Sequence, residues 1–232
     1  MIKLFQFASA FNLPNPSPFC MKAEILLKMA GTAYTTVVVG DPRKGPKGKL
    51  PAIEDEGALI GDSELIRWHL ERKYGIDFER GLDARARAAA HAFARMLEER
   101  TYWVGVYNRW IDPRHWPAVR SAFFDGMPPV IRSFVPLLAQ RKVRGYLRAQ
   151  GIGRHTEDEI YALGVADIRA IAAWLADRPC FMGAEPSAVD ATVYPFMAGV
   201  IVPPFASPLR TEALEHANLV AYVERMRQRY FG

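Results

Sequence analysis

Every segment of this 232-residue chain that favours a β-strand lies in its first 60 residues. Two short apolar runs are separated by a stretch whose apolar side chains recur at helical spacing, so we expect parallel strands joined by a helix. Asp55-Glu56-Gly57 lies between two further runs and predicts a hairpin. The predicted elements are strand 2–7, helix 19–30, strand 34–39, hairpin 50–60 and helix 62–74. This order predicts a small α/β sandwich.

Beyond Gly75 the sequence favours helices alone. Thr156 and Glu159 form a capping-box pattern, and Ser187 with Asp190 forms a similar one. The predicted helices are 83–112, 130–150, 156–177, 187–201 and 211–230. We therefore expect an α/β domain over residues 1–76, a linker over residues 76–82, and an all-helical domain over residues 83–232.

The composition excludes several classes of protein. Half of the residues are hydrophobic and 24% are charged, which excludes intrinsic disorder, and two cysteines are too few for a disulfide-stapled fold. The 30 basic residues exceed the 25 acidic ones, but they are interspersed with them, as in residues 71–73 and 224–227. Solvated helix faces are expected, and the chain lacks the basic, aromatic-interleaved stripe of a nucleic-acid partner.

Neither an export signal nor a membrane segment is expected. Gln6 interrupts the short apolar run near the N-terminus, which is shorter than a secretory core requires. The longest uncharged run, 191–209, contains four prolines. The sequence thus predicts a cytoplasmic protein with reduced thiols.

The stretch Asn15–Lys22 follows the first predicted strand and opens the first helix. Ligands bind at this edge of open α/β sheets, and a helix N-terminus favours an anion. Pro18 suits a first helical turn and Ser17 lies close to the N-cap position. Ser17 could therefore cap the helix and do nothing else, or it could also bind a ligand.

Two later stretches have the same character. If the Leu50–Pro51 bond is cis, the backbone groups of Leu50 face outward and can bind an extended peptide. Asp62 and Ser63 open the next helix, where a carboxylate beside backbone donors suits an amino-acid-like group. Asp62 could equally be a simple N-cap.

Together, Ser17-Pro18-Phe19-Cys20, Leu50-Pro51 and Asp62-Ser63 make the chain resemble the glutathione transferase superfamily over nearly its whole length. The implied fold is a thioredoxin-like α/β N-terminal domain followed by an all-α C-terminal domain. Residues 183–192 resemble the helix-capping stretch of that superfamily, and residues 218–226 its C-terminal helix. Residues 97–110 are most similar to the metaxin and failed-axon-connections branch, not all of whose members are efficient enzymes.

The resemblance implies a role for each matching residue. Ser17 matches the catalytic hydroxyl that hydrogen-bonds the glutathione sulfur in serine-type transferases. The implied glutathione-binding residues are Phe19, Lys49, Leu50, Pro51, Asp62 and Ser63. Among these, the Leu50 backbone would hold the cysteinyl part, Asp62 and Ser63 the γ-glutamyl end, and Lys49 the glycine carboxylate. Glutathione is then the co-substrate, a small hydrophobic electrophile the second substrate, and a homodimer the expected assembly.

Cys20 marks a departure from related redox proteins. The sequence Ser17-Pro18-Phe19-Cys20 resembles a glutaredoxin motif whose first, nucleophilic cysteine is replaced by serine. Cys20 is expected to be a packed thiol, and a Cys20-dependent thiol–disulfide enzyme is the alternative. A non-catalytic binding protein with the transferase fold is a further alternative.

The second domain should supply the pocket for the electrophile. Trp103, Tyr107 and Trp110 form one aromatic stripe at positions i, i+4 and i+7, which can be either core or part of that pocket. Residues 112–129 contain further aromatic residues and could form a mobile cover or an ordered flap. The five histidines show no metal-ligand spacing, so no metal is expected.

Overall fold

A four-stranded mixed sheet forms the centre of the N-terminal part in the computed structural model, which describes residues 1–232. The strands are β1 (Ile2–Gln6), β2 (Tyr34–Val38), β3 (Ala52–Asp55) and β4 (Ala58–Gly61). Their order is β2-β1-β3-β4, with β1 and β2 parallel and the other pairs antiparallel. The predicted parallel pair and the hairpin are confirmed.

Two helices accompany this sheet. Helix α1 (Pro18–Met29) buries Met21, Ile25 and Leu26 completely, as expected from their helical spacing. Helix α2 (Ser63–Tyr74) begins after Asp62, and Gly75 ends it in a left-handed conformation that glycine adopts without strain.

The remainder of the chain is helical, as predicted. Its α-helices are α3 (Ala84–Met96), α4 (Tyr102–Trp110), α5 (Trp116–Phe124), α6 (Pro129–Gln150), α7 (Glu157–Leu175), α8 (Asp190–Ile201), α9 (Pro208–Glu215) and α10 (Ala217–Phe231). The Thr156–Glu159 capping box is present at the start of α7. None of these helices combines the length and the apolarity needed to cross a bilayer.

Three predicted helices differ in detail. The single helix expected over 83–112 contains a π-helical segment, Leu97–Thr101, between α3 and α4. The helix expected over 211–230 is broken at His216, whose extended backbone separates α9 from α10. The helix expected from Ser187 begins at Asp190, and residues 187–189 form the turn before it.

Asp190 organises the turn that precedes α8. Its buried carboxylate accepts hydrogen bonds from the backbone N–H groups of Phe181 (2.8 Å) and Ser187 (2.9 Å) and from the hydroxyl of Tyr222 (2.9 Å). These bonds hold the 181–190 loop and helix α10 to one side chain. Residues 183–192, which include Asp190, are therefore a folding element.

Buried ion pairs join the two parts of the molecule. The Lys22 ammonium on α1 is 2.6 Å from a Glu64 oxygen on α2 and 2.8 Å from a Glu98 oxygen in the π-helical segment. Burial raises the pKa of Glu64, but the Lys22 charge opposes it, and the net pKa is lowered. Because Lys22 is almost completely buried, these pairs help to fix α1 against the C-terminal helices.

Candidate functional site

The sheet topology brings the three predicted ligand-facing stretches together. Strand β1 runs antiparallel to β3, with Phe5 opposite Ala52, so the end of β1 lies beside the start of β3. Ala52 is also opposite Gly61, the last residue of β4. The segments that follow β1, precede β3 and follow β4 therefore meet at one end of the sheet.

Ser17 is the N-cap of α1. Its Oγ accepts a hydrogen bond from the Cys20 N–H (3.4 Å), and its own N–H donates to Oδ1 of the buried Asn15 (3.0 Å). Pro18 occupies the first turn, which contains no acidic residue. The partial positive charge of the helix N-terminus is thus uncompensated by any acid within its own first turn, and the half-buried Ser17 hydroxyl lies next to it.

The loop before β3 is held close to the end of β4. A Cβ atom on Gly45 would lie 2.0 Å from the Lys49 carbonyl oxygen, and one on Gly61 would lie 2.6 Å from Cγ of Pro46. Only glycine permits both approaches. The Leu50–Pro51 bond is cis, as the resemblance implied, and Lys49 is exposed and in no ion pair.

Asp62 and Ser63 lie directly beside this loop. The Asp62 N–H donates to the Pro51 carbonyl oxygen (3.3 Å), which ties the start of α2 to the start of β3. The Asp62 carboxylate accepts from the Glu64 N–H (2.9 Å) and the Leu65 N–H (3.4 Å), so it caps the helix. Its φ of 89° lies in the left-handed region, which is strained for a residue with a side chain. Ser63 is buried.

Cys20 is a buried free thiol. Its side chain is inaccessible, and burial raises its pKa to about 12 despite hydrogen bonding with Ser17. A thiol with this pKa is protonated at neutral pH and is a poor nucleophile. The structure therefore favours the packed-thiol interpretation over a Cys20-dependent redox enzyme.

Helix α4 contributes two side chains that contact the first turn of α1. The Tyr102 ring packs edge-on against the Phe19 ring, with 5.0 Å between centroids. The Arg109 guanidinium donates from Nη1 to the carbonyl oxygen of Pro16 (2.6 Å) and from Nη2 to that of Gly199 on α8 (2.9 Å). Arg109 thus connects the residue before Ser17 to the C-terminal helices.

Arg109 has no carboxylate partner. Burial lowers its pKa to about 10, so it remains a cation at neutral pH. Guanidinium groups withdrawn from water are usually paired with an acid, and an unpaired one next to a helix N-terminus makes the surroundings of Ser17 positive. Sequence reasoning missed Arg109; the available signal was a single cation within the otherwise uncharged helix Tyr102–Trp110.

The predicted aromatic stripe is divided between different neighbours. Tyr107 lies against α7, with its ring 6.0 Å from that of Tyr161 and its hydroxyl 3.3 Å from a Glu157 oxygen. Trp103 packs against Tyr102, at 5.1 Å between ring centroids. Trp110 faces α5. Their assignment to a substrate pocket stays a prediction.

Residues 112–129 contain helix α5 and form an aromatic cluster with their neighbours. The Phe123 ring is stacked on Trp110 (5.7 Å between centroids) and meets Phe11 of the β1–α1 loop edge-on (5.9 Å). Trp116 and Phe124 also pack against Trp110. Through Phe123 the segment contacts the N-terminal part of the molecule.

Both parts of the chain match family models of known proteins. The family model for the glutathione S-transferase N-terminal domain matches residues 18–115, and that for the C-terminal domain matches residues 164–226. The chain belongs to the glutathione S-transferase family. The fold agrees: a glutathione transferase, GSTFuA3 of Phanerochaete chrysosporium, superposes with a TM-score of 0.66 at 16% identity, over 100% of this chain and 98% of that one.

The relatives of this chain include both a transferase and members of the failed-axon-connections and metaxin branch, at 26–31% sequence identity. The isoprene-epoxide glutathione S-transferase of Rhodococcus sp. (strain AD45) is 30% identical over 99% of each chain. Failed axon connections of Drosophila melanogaster is 31% identical over 100% of this chain, which spans 58% of that protein. Human metaxin-1 is 26% identical over 99% of this chain, which spans 51% of it. The branch inferred from the sequence is confirmed.

Proposed function

We propose that this protein is a glutathione transferase that ionises the glutathione thiol beside Ser17. The observation that carries the proposal is the half-buried Arg109 guanidinium of α4, which lies beside the start of α1 and has no carboxylate partner. Glutathione thiols have a pKa well above neutrality, and a positive recess with a hydrogen-bond donor favours the thiolate. A bound thiolate would supply the anion that Arg109 lacks in this chain.

The remaining part of glutathione fits the neighbouring segments. The backbone of Leu50 can pair with the cysteinyl residue, and the exposed Lys49 ammonium can bind the glycine carboxylate. The Asp62 oxygen that does not cap α2 can bind the α-ammonium group, and Ser63, the first residue of α2, would bind the α-carboxylate, as the resemblance implies.

For the electrophile we propose a small epoxide, because the Rhodococcus relative is named for isoprene epoxide. The thiolate sulfur would form a bond to one epoxide carbon while the carbon–oxygen bond breaks. The epoxide oxygen keeps the electron pair and takes a proton from water, giving a hydroxy thioether. The aromatic cluster around Trp110 offers apolar surface for such a substrate.

Replacing Ser17 with alanine tests the proposal. With an epoxide as substrate, we expect kcat/KM to fall about 100-fold in Ser17→Ala while glutathione affinity changes little, because one hydrogen bond to the reacting atom is lost. Ser9→Ala, a change at an exposed serine of the same loop, is the matched control. Unchanged turnover in Ser17→Ala would remove Ser17 from the mechanism.

Glutathione binding without turnover is a second candidate function. It is favoured by the similar identity to failed axon connections and to the Rhodococcus transferase, 31% and 30%. Titration calorimetry with glutathione, run beside an epoxide turnover assay, separates the two. Binding without any conjugate would establish this second function.

We also propose that the protein is a homodimer, as the resemblance implied, and that it acts in detoxification in the cytoplasm. Light scattering during size-exclusion chromatography tests the assembly, for which twice the 26.1 kDa chain mass is expected.

A further inference from the structure

Helix α6 has an unusual charge pattern. Between residues 126 and 156 the chain contains no aspartate or glutamate. The cations of this stretch are Arg132, Arg141, Lys142, Arg144, Arg148 and Arg154. Apart from the basic stretch 43–49, basic and acidic residues elsewhere are interspersed, so this helix departs from the solvated faces expected from the sequence.

The same helix exposes large apolar side chains. Val130 is 76% exposed, Leu137 62% and Leu138 59%, and Ile131 and Phe134 are exposed as well. Of the 22 residues in α6, only Pro136 and Leu147 are buried. At about 100° per residue these five apolar side chains lie on one side of the helix, away from the buried pair.

The cations continue that outward side toward the C-terminal end of α6. Arg141, Lys142 and Arg144 are exposed, and none of them forms an ion pair within the chain. Lys142 contacts only the ring of Tyr146, 5.6 Å from its centroid. We call the five apolar residues and these three cations the α6 surface.

We propose that the α6 surface docks on an anionic phospholipid membrane. Apolar side chains next to uncompensated cations match an interface where acyl chains lie below negatively charged headgroups. Pairing of two α6 surfaces would instead place six cations and no carboxylate of these surfaces in one contact. The association is peripheral, and it does not depend on the proposed transferase activity.

Vesicle sedimentation tests the proposal with the whole chain. We expect binding to phosphatidylcholine vesicles containing about 30% phosphatidylglycerol at about 0.1 M salt, and weak binding to pure phosphatidylcholine. The triple variant R141Q/K142Q/R144Q should bind about 100-fold more weakly, since each cation near the surface contributes about tenfold or less. The double variant L137S/L138S should lose about tenfold or more through its apolar area.

Matched variants distinguish the α6 surface from net charge and general hydrophobicity. R72Q/R80Q/R85Q removes three other exposed arginines that form no ion pairs, and L59S/L214S removes two other exposed leucines. Both should bind like the unmodified protein. Circular dichroism checks that each variant is folded, and the charge variant remains decisive if the serine variant is not.

Three results would overturn the proposal. One is no sedimentation with anionic vesicles at low salt. Another is equal weakening by the arginine control variant, which would reduce the effect to net charge. The last is a dimer that L137S/L138S converts to monomers with no change in vesicle binding, which would show that the α6 surface binds a second copy.

Discussion

Arg109→Met removes a half-buried cation next to Ser17 and keeps most of the side-chain volume. The guanidinium Nη1 is 2.6 Å from the carbonyl oxygen of Pro16, and Ser17 is the next residue. A sulfur hydrogen-bonded to the Ser17 hydroxyl would then lie at a distance of about 7 Å from the charge, from ordinary bond and hydrogen-bond lengths. The variant therefore measures what this charge contributes to thiolate stability.

The magnitude follows from Coulomb's law. At about 7 Å and an effective dielectric constant of about 20, the attraction between the two unit charges is about 2 kcal/mol. This energy corresponds to roughly 1.5 pKa units on the bound glutathione thiol. The thiol pKa should be higher by that amount in Arg109→Met, because the thiolate loses its counter-charge.

The assay is the ultraviolet absorbance of the bound thiolate, followed against pH. It is combined with kcat/KM for the epoxide, measured at saturating glutathione across the same pH range. Well below the thiol pKa, kcat/KM should fall by about thirtyfold in Arg109→Met, and the two proteins should converge at high pH. An unchanged thiol pKa with glutathione still bound would refute the electrostatic role, whether or not the protein is a transferase.

Loss of the two carbonyl hydrogen bonds is a separate effect. Leaving the oxygens of Pro16 and Gly199 unsatisfied costs about 1–3 kcal/mol each, so the variant should also unfold at a lower temperature. Arg109→Lys retains the charge but cannot make both bonds with the same geometry. Arg109→Lys should therefore share the loss of stability but retain most of the lowering of the pKa of the bound glutathione thiol.

Three further changes test other parts of the structure. Cys20→Ala should lower the free energy of unfolding by about 1–2 kcal/mol in a denaturant titration and leave turnover intact, and lost turnover would contradict the packed-thiol role. Lys22→Met should lower the free energy of unfolding by at most about 3–5 kcal/mol, because the buried Glu98 and the half-buried Glu64 lose one cation and keep Arg95. Adding Glu98→Gln should restore part of the loss, and a Lys22→Met variant as stable as the unmodified protein would contradict the network's role. The pKa of Asp112 is lowered to about 2, because hydrogen bonds from Arg114 and Tyr161 outweigh burial. The ionised Asp112 therefore contributes about 2 kcal/mol to the free energy of unfolding above pH 4, and this contribution is lost as the pH falls toward 2. Asp112→Asn should make the free energy of unfolding less dependent on pH in that range.

Local signals predicted most element types correctly. Thr156 and Glu159 form the expected capping box, and Gly75 ends α2 in a left-handed conformation. In each case the side chain or the missing Cβ acts on the backbone within one turn, so the effect can be inferred from adjacent residues. Parallel pairing of β1 and β2 likewise follows from the helix between them.

Non-local contacts account for the elements that were not predicted. The π-helical segment Leu97–Thr101 turns Glu98 toward Lys22 and Thr101 toward Asp167. These partners are distant in sequence, so no pattern of adjacent residues predicts the segment. Helix α5 was missed because its region is rich in proline. Pro117 nevertheless lies in the first turn of that helix, where its missing N–H has no cost.

The candidate site divides along the same line. Ser17, Pro51 and Asp62 were grouped through the family resemblance, and the observed pairing of β1, β3 and β4 places them at one end of the sheet. The contact between α4 and the site could not be predicted from the sequence. Two stripes of side chains on that helix are offset by one residue, or about 100°, and the sequence does not show which one faces α1. Amphipathic reasoning selects the more apolar stripe, which contains Tyr107, whereas contact with α1 is made by the stripe containing Arg109. A cation that binds an anionic ligand makes its own helix face less hydrophobic. Hydrophobic periodicity therefore selects a different face of the helix, and such a residue can be identified only when the neighbouring helix is known.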